Sequence, residues 1–232
     1  MPMMPMMPMK PAAVFWDLDG TLIDSDPYWL ESERALVEEY GGSWTQETAR
    51  ALEGASLPSV AAMLRSCGVA LDDDAIRRRL TDDVLRRERC RLPWVEGARE
   101  TLVQLDAEGV ASVLVTGSPR PIADMVSARA PVGAFGAVIC GDDGLPSKPS
   151  PEPYLAAARA VGIDPRDGRS MGRCLVFEDS LPGLRSARAA GCFVVAVTGH
   201  ARVPVEDRSL FDLSIRDYGD PALRSLLQGL WR

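Results

Sequence analysis

Residues 15–24 read FWDLDGTLID. An apolar run enters from Val14, two aspartates follow one residue apart, and Gly20 and Thr21 end the run abruptly. A short, unbroken apolar run rich in aromatic and branched residues reads as a strand buried on both faces, the kind a parallel sheet contains. Side chains two apart on a strand share a side, so Asp17 and Asp19 can face one point while Leu18 turns into the core. In an open parallel sheet, ligands sit beyond the carboxyl ends of the strands, which is where both aspartates fall. Gly20 gives the backbone freedom for a sharp turn. Two carboxylates so close are tolerable when a divalent cation neutralises them, or when one is protonated and acts as an acid. A strand end closed by an Asx-type turn would use the same residues with no chemistry attached.

Outward from this stretch, further apolar runs at 112–115, 137–140, 174–177 and 193–197 read as strands, and 96–108, 121–129, 151–161 and 181–190 carry helical patterns. Strands alternating with helices predict an α/β fold, a doubly wound parallel sheet of Rossmann-like type. Between about 27 and 91 no strand pattern occurs, only helical segments at 31–40, 45–52, 58–67 and 73–89, the last dense in Arg and Asp. The expected organisation is therefore a core built from 13–25 and 92–232, with 26–91 inserted as a small helical domain above the sheet. The opening MPMMPMMPMK has prolines that would break a signal-peptide helix, and its lysine follows the apolar part. Residues 1–12 are read as a disordered tail.

Three more strand ends carry polar residues. The run VLVTGSPR ends in Thr116, Gly117 and Ser118, a hydroxyl and open backbone amides ahead of a helix, suited to donating to phosphate oxygens. In GDDGLPSKPSPEPY, Lys148 stands among turn residues as a point charge for phosphate. CLVFEDSLPGL delivers Glu178, Asp179 and Ser180, hard oxygen ligands of the kind Mg²⁺ prefers. Singly, each is a common turn, surface or capping pattern. Together, at successive strand ends, they point to phosphate and metal chemistry.

Composition narrows the partners. The chain has 232 residues, is 46% hydrophobic and carries a net charge of −7, which removes the electrostatic drive of a nucleic-acid or anionic-membrane binder. No run approaches the roughly 18 apolar residues of a membrane-spanning helix. Cys67, Cys90, Cys140, Cys174 and Cys192 are odd in number, dispersed and without CxxC spacing, so they read as buried thiols in a reducing cytoplasm. The single histidine, His200, reads as a polar surface residue, which leaves Ser-His or Cys-His catalysis without a base.

The motifs DLDGT, VTGS, SKP and FEDSLPGLRSARAAG together resemble the haloacid-dehalogenase-like phosphohydrolases, over nearly the whole chain from Val14 onward. The helical insertion resembles that family's type-one cap, and the chain is most similar to its phosphoglycolate-phosphatase and β-phosphoglucomutase branch. The resemblance implies Asp17 as the nucleophile that forms an aspartyl-phosphate and Asp19 as general acid and base. It implies Thr116, Gly117, Ser118 and Lys148 as phosphate-binding residues. Glu178 and Asp179, with the Asp17 carboxylate and the Asp19 carbonyl, would hold Mg²⁺. The substrate implied is a small phosphorylated metabolite.

Departures from the pattern separate members of that family. The namesake dehalogenases lack the second aspartate, and phosphonatases use a cap lysine, whereas no lysine lies between Lys10 and Lys148. β-Phosphoglucomutases carry a hinge histidine where this chain has Trp29, and cations where LEGASL offers Glu53 and Leu57. These absences favour a monophosphate phosphatase; a phosphosugar mutase and a catalytically silent binding module are the alternatives. Trp29, Glu53, Ser56 and Arg120 are candidates for shaping the substrate pocket. A receiver domain also uses acids, a threonine and a lysine, but its acidic pair precedes a mid-chain acceptor and it has no helical insertion. Oligomeric state is not encoded in any feature of the sequence.

Overall fold

The structure is a computed structural model that describes residues 10–52, 54–131, 133–200 and 207–229. Its centre is the strand β1, Ala13–Trp16, whose four side chains are all completely buried. Alternation sends them to opposite sides: Val14 and Trp16 join one hydrophobic cluster, Ala13 and Phe15 another. β2 (Ser112–Val115) and β3 (Ala137–Ile139) lie on one side of β1, while β4 (Cys174–Glu178), β5 (Phe193–Val197) and β6 (Leu213–Ile215) lie on the other. The six strands run in the order β3-β2-β1-β4-β5-β6, every pair parallel. β4 splits as β1 does, with Leu175 and Phe177 on one face and Cys174 and Val176 on the other. Each fully buried large side chain contributes roughly 1.5–3 kcal/mol, so a double-faced core of this kind sets the strand register.

Five helices of eight or more residues cover the sheet: α5 (Ala98–Ala107), α6 (Arg120–Arg129), α7 (Glu152–Ala160), α9 (Leu181–Ala189) and α10 (Pro221–Gly229), with the short α8 (Gly168–Met171) before β4. Between β1 and α5 the chain makes four helices, α1 (Asp26–Glu39), α2 (Gln46–Ala51), α3 (Leu57–Ser66) and α4 (Asp73–Cys90). These four gather a third hydrophobic cluster around Leu36, Val37, Leu64, Ile76 and Leu80. Their starts are locally encoded: Asp72 caps α4 by accepting from the Ala75 N–H at 2.7 Å, and Thr45 caps α2 in the same way.

The expected strands all occur, with bounds shifted by at most a residue. β6 goes beyond the expected strands, because three-residue Leu213–Ile215 is a half-exposed edge strand too short to show a period; α8 and α10 are likewise additions to the expected helices. Of the expected N-terminal tail, residues 1–9 lie outside the described residues. Pro11 is buried, and the Ala12 N–H donates to the Arg173 carbonyl at 2.9 Å. No helix among the described residues is long and apolar enough to cross a membrane. The cysteines are all free, but Cys90 is exposed and Cys67 only partly covered, where burial was expected of all five. His200 is partly exposed, and its Nδ1 lies 3.2 Å from Asp24 Oδ2.

Candidate active site

The carboxyl ends of β1, β2, β3 and β4 open into a cavity of about 750 Å³, walled on the far side by α1, α3 and α4. Asp17, Asp19, Thr116, Gly117, Ser118, Lys148 and Asp179 line it together, so seven of the eight residues singled out from the motifs share one space. The eighth, Glu178, lies completely buried directly beneath, at the end of β4.

Lys148 ties the strand ends together. Its Nζ donates to Asp17 Oδ1 at 2.5 Å, to Glu178 Oε1 at 2.7 Å and to the Val115 carbonyl at 3.0 Å, and it lies 5.1 Å from the Tyr154 ring centroid. Burial by itself would lower the Lys148 pKa, but the flanking Asp17 and Glu178 carboxylates reverse this and hold it above the usual lysine value. Glu178 is saturated with donors. Oε1 also accepts from the Tyr154 hydroxyl at 3.1 Å, and Oε2 accepts from the Asp179 and Ser180 N–H groups and the Ser180 hydroxyl at 2.9–3.1 Å. The Ser180 hydroxyl in turn accepts from the Gly183 N–H at 3.1 Å, capping α9. A Cβ on Gly183 would sit 1.6 Å from Glu178 Oε1, so only glycine fits that first turn.

Negative charge exceeds positive charge here. Oxygens of Asp17, Glu178 and Asp179 lie within 4.8 Å of one another, three carboxylates facing one ammonium. Burial, then Glu178, pushes Asp17 up to about 8 despite Lys148. Burial, then Glu178 and Asp17, raises Asp179 well above the carboxylate range, although Thr21 donates to its Oδ1 at 2.8 Å. The donors are all oxygen, and the mutual repulsion that, after burial, raises both aspartates is what a hard divalent cation would relieve on ionising them. Gly20, at φ +77°, makes room for this group: a Cβ there would sit 2.3 Å from Asp179 Oδ2.

Asp19 stands apart from the triad inside a cage of donors. Its Oδ1 accepts from the Ser25 hydroxyl at 2.6 Å and from the Trp29 indole N–H at 2.9 Å. Its Oδ2 accepts from the Ser118 hydroxyl at 2.6 Å and from Thr116 Oγ1 at 3.4 Å. The Ser118 N–H donates to Thr116 Oγ1 at 2.9 Å, closing the turn after β2.

The suggested pocket residues divide. Trp29 and Ser56 line the cavity, as does Leu57, while Glu53 lies outside the described residues. Arg120 does not line it: its guanidinium turns to Asp143 and Asp124. Sequence reasoning missed Tyr154, because nothing marks one helical tyrosine as the partner of a buried glutamate. It also missed Arg77 and Arg78, which α4 presents to the cavity. The cations found missing in the sequence are those at Glu53 and Leu57; α4, dense in arginine, instead sets two on the cavity wall, Arg77 being paired with Asp74 at 2.5 Å.

A parallel sheet with an acidic, lysine-bridged site at its carboxyl edge places the chain among α/β proteins, and residues 11–191 match the haloacid dehalogenase-like hydrolase family. The chain belongs to that family. It is 30% identical over 189 residues to the fructose-1-phosphate phosphatase of Escherichia coli, spanning 80% of this chain and 96% of that one. It is likewise 30% identical over 191 residues to the N-acetylmuramic acid 6-phosphate phosphatase of Pseudomonas aeruginosa, covering 80% of each. Among solved structures, β-phosphoglucomutase from Clostridium difficile shares the fold with a TM-score of 0.78 at 15% identity, covering 95% of this chain and 97% of that one.

Proposed function

We propose that the protein is a Mg²⁺-dependent phosphomonoesterase that hydrolyses a small phosphorylated metabolite through an aspartyl-phosphate on Asp17. It is a hydrolase of phosphoric monoesters, as its 30%-identical relatives are named. The observation that carries the reading is the shared cavity, in which the Lys148-bound Asp17 meets Asp19 and the Thr116 and Ser118 hydroxyls. Residues 26–91 would act as a cap over it.

Phosphoryl transfer asks for an in-line nucleophile and preorganised positive charge rather than for a histidine. In the first half-reaction an Asp17 carboxylate oxygen bonds to phosphorus as the bond to the leaving alkoxide breaks, and protonated Asp19 gives that oxygen its proton. In the second, Asp19 takes a proton from water as the water oxygen bonds to phosphorus and Asp17 is released. Lys148, the Thr116 and Ser118 hydroxyls and the Gly117 backbone would hold the phosphoryl oxygens. Asp17, Asp179 and the Asp19 carbonyl would hold Mg²⁺, which supplies charge stabilisation at the transferring group. Glu178, engaged by Lys148, Tyr154 and Ser180, would complete this acidic set. The five free thiols support a reducing, cytoplasmic setting.

The test is release of inorganic phosphate by purified protein from sugar, polyol and nucleoside phosphates and phosphoglycolate, with Mg²⁺ or excess chelator. Hydrolysis that needs the metal is expected. Turnover in chelator would overturn the metal assignment. With β-glucose 1-phosphate and a trace of 1,6-bisphosphate, stoichiometric glucose 6-phosphate would establish a mutase instead. Binding without turnover of any ester would leave a silent binding module.

A further inference from the structure

We infer that Trp29 is a positioning residue for Asp19, coupling the location of α1 to the orientation of the carboxylate that exchanges protons; this rests on the phosphatase reading above. The two oxygens of Asp19 are held by different kinds of donor. Those on Oδ2, Ser118 and Thr116, belong to the turn after β2 and also face the cavity. Each hydroxyl carries a single proton, so a phosphoryl oxygen that takes it leaves Oδ2 without a donor and open to the reacting oxygen. The donors on Oδ1, Ser25 and Trp29, stay engaged: Ser25 is completely buried at the start of α1, and Trp29 is within that helix. An indole N–H donates and cannot accept, so Trp29 orients Asp19 without moving a proton itself.

Trp29 also occupies the mechanical joint. Its ring packs against the cluster under the sheet, alongside Tyr28, Leu92 and Trp94, and equally against the cluster among the cap helices, alongside Leu57 and Tyr40. Any movement of α1 that opens the cavity therefore carries one of the two Oδ1 donors with it. No such role follows from Trp29 as a bulky pocket wall, which would leave its nitrogen uncommitted.

Two measurements test this. Trp29→Phe keeps the aromatic packing and deletes the N–H; a hydrogen bond to a charged group is worth about 1.5–3 kcal/mol, which converts to a drop in kcat of about tenfold or more. With p-nitrophenyl phosphate the expected result is that loss in kcat with KM changed less than about twofold, and partial recovery in Trp29→His, whose ring restores an N–H. Wild-type kcat in Trp29→Phe, or a raised KM and lowered melting temperature with kcat intact, would overturn the proposal in favour of packing alone. Independently of activity, ¹H–¹⁵N spectra resolve the indole groups, and Trp29→Phe assigns the Trp29 signal. Asp19→Ala should shift that signal and speed its exchange with solvent, far more than for the other tryptophans. An unmoved signal would overturn the Trp29–Asp19 link. An inactive wild type with a coupled signal would instead sink only the phosphatase reading.

Discussion

The Tyr154 hydroxyl donates to Glu178 Oε1 at 3.1 Å from a completely buried position on α7. The contact keeps a buried carboxylate supplied with donors where water cannot reach. Burial, followed by the neighbouring Glu178 and Asp17 charges, raises the Tyr154 pKa well above the usual phenol, so the group remains a donor throughout the working range. Tyr154→Phe removes that donor with almost no change in volume. It should destabilise the protein by about 1–3 kcal/mol, as for other buried groups left a partner short. Urea unfolding checks this, and an unchanged midpoint would show that Lys148 alone satisfies Oε1.

The crowding of Gly183 against Glu178 makes a second expectation specific. A methyl at 183 has to displace the Glu178 carboxylate, a single backbone-attached atom lying 1.6 Å from Oε1. Gly183→Ala should therefore lower both stability and metal affinity, whereas Leu181→Ala, two residues earlier and exposed, should change neither. Isothermal titration with Mg²⁺, alongside thermal melts, separates the two variants.

Glu88 predicts a pH dependence of stability. On α4, it is completely buried with neither carboxylate oxygen hydrogen-bonded among the described residues, while Arg129 donates to the backbone carbonyls of Glu88 and Arg89 at 3.0 Å. Burial, and next the charge of Asp19, pushes Glu88 up to about 9. The folded protein thus keeps the proton that the unfolded chain releases near 4.5, and stability falls as pH rises between these values. The slope from this one group is about 1.4 kcal/mol per pH unit. Glu88→Gln should be as stable as wild type near pH 4 and increasingly more stable toward pH 9, as read by unfolding at several pH values. Parallel pH curves for the two proteins would refute it.

Arg78 sets a prediction about selectivity. It is exposed on the cavity wall with no hydrogen bond or ion pair among the described residues, unlike Arg77, which Asp74 engages. Arg78→Ala should lower kcat/KM several-fold for phosphate esters bearing a second anionic group, about the range expected for one exposed charge. It should leave p-nitrophenyl phosphate hydrolysis unchanged. Equal losses for both substrates would mean that Arg78 supports the fold and not the ligand.

Much of this arrangement is determined by local sequence, because periodicity and turn chemistry act over a few residues. The apolar run into Asp17 is a buried strand in any context that can cover both its faces, and the next four such runs make the parallel sheet follow. Strand ends carrying Asp17, Thr116, Lys148 and Glu178 are likewise visible, since the end of a strand is a local property. Only the tertiary structure decided which of these groups touch. Lys148 spans from Asp17 to Glu178 across 131 and 30 residues, distances over which no residue pattern specifies a bond. Tyr154 and Gly183 are ordinary helical residues until β4 is laid beside them, and Arg77 and Arg78 become cavity residues only once α4 folds over the sheet. Trp29 is the clearest division: its identity marked a pocket position, but the indole finds Asp19 Oδ1 because two hydrophobic clusters, one under the sheet and one among α1 to α4, both close on the same ring.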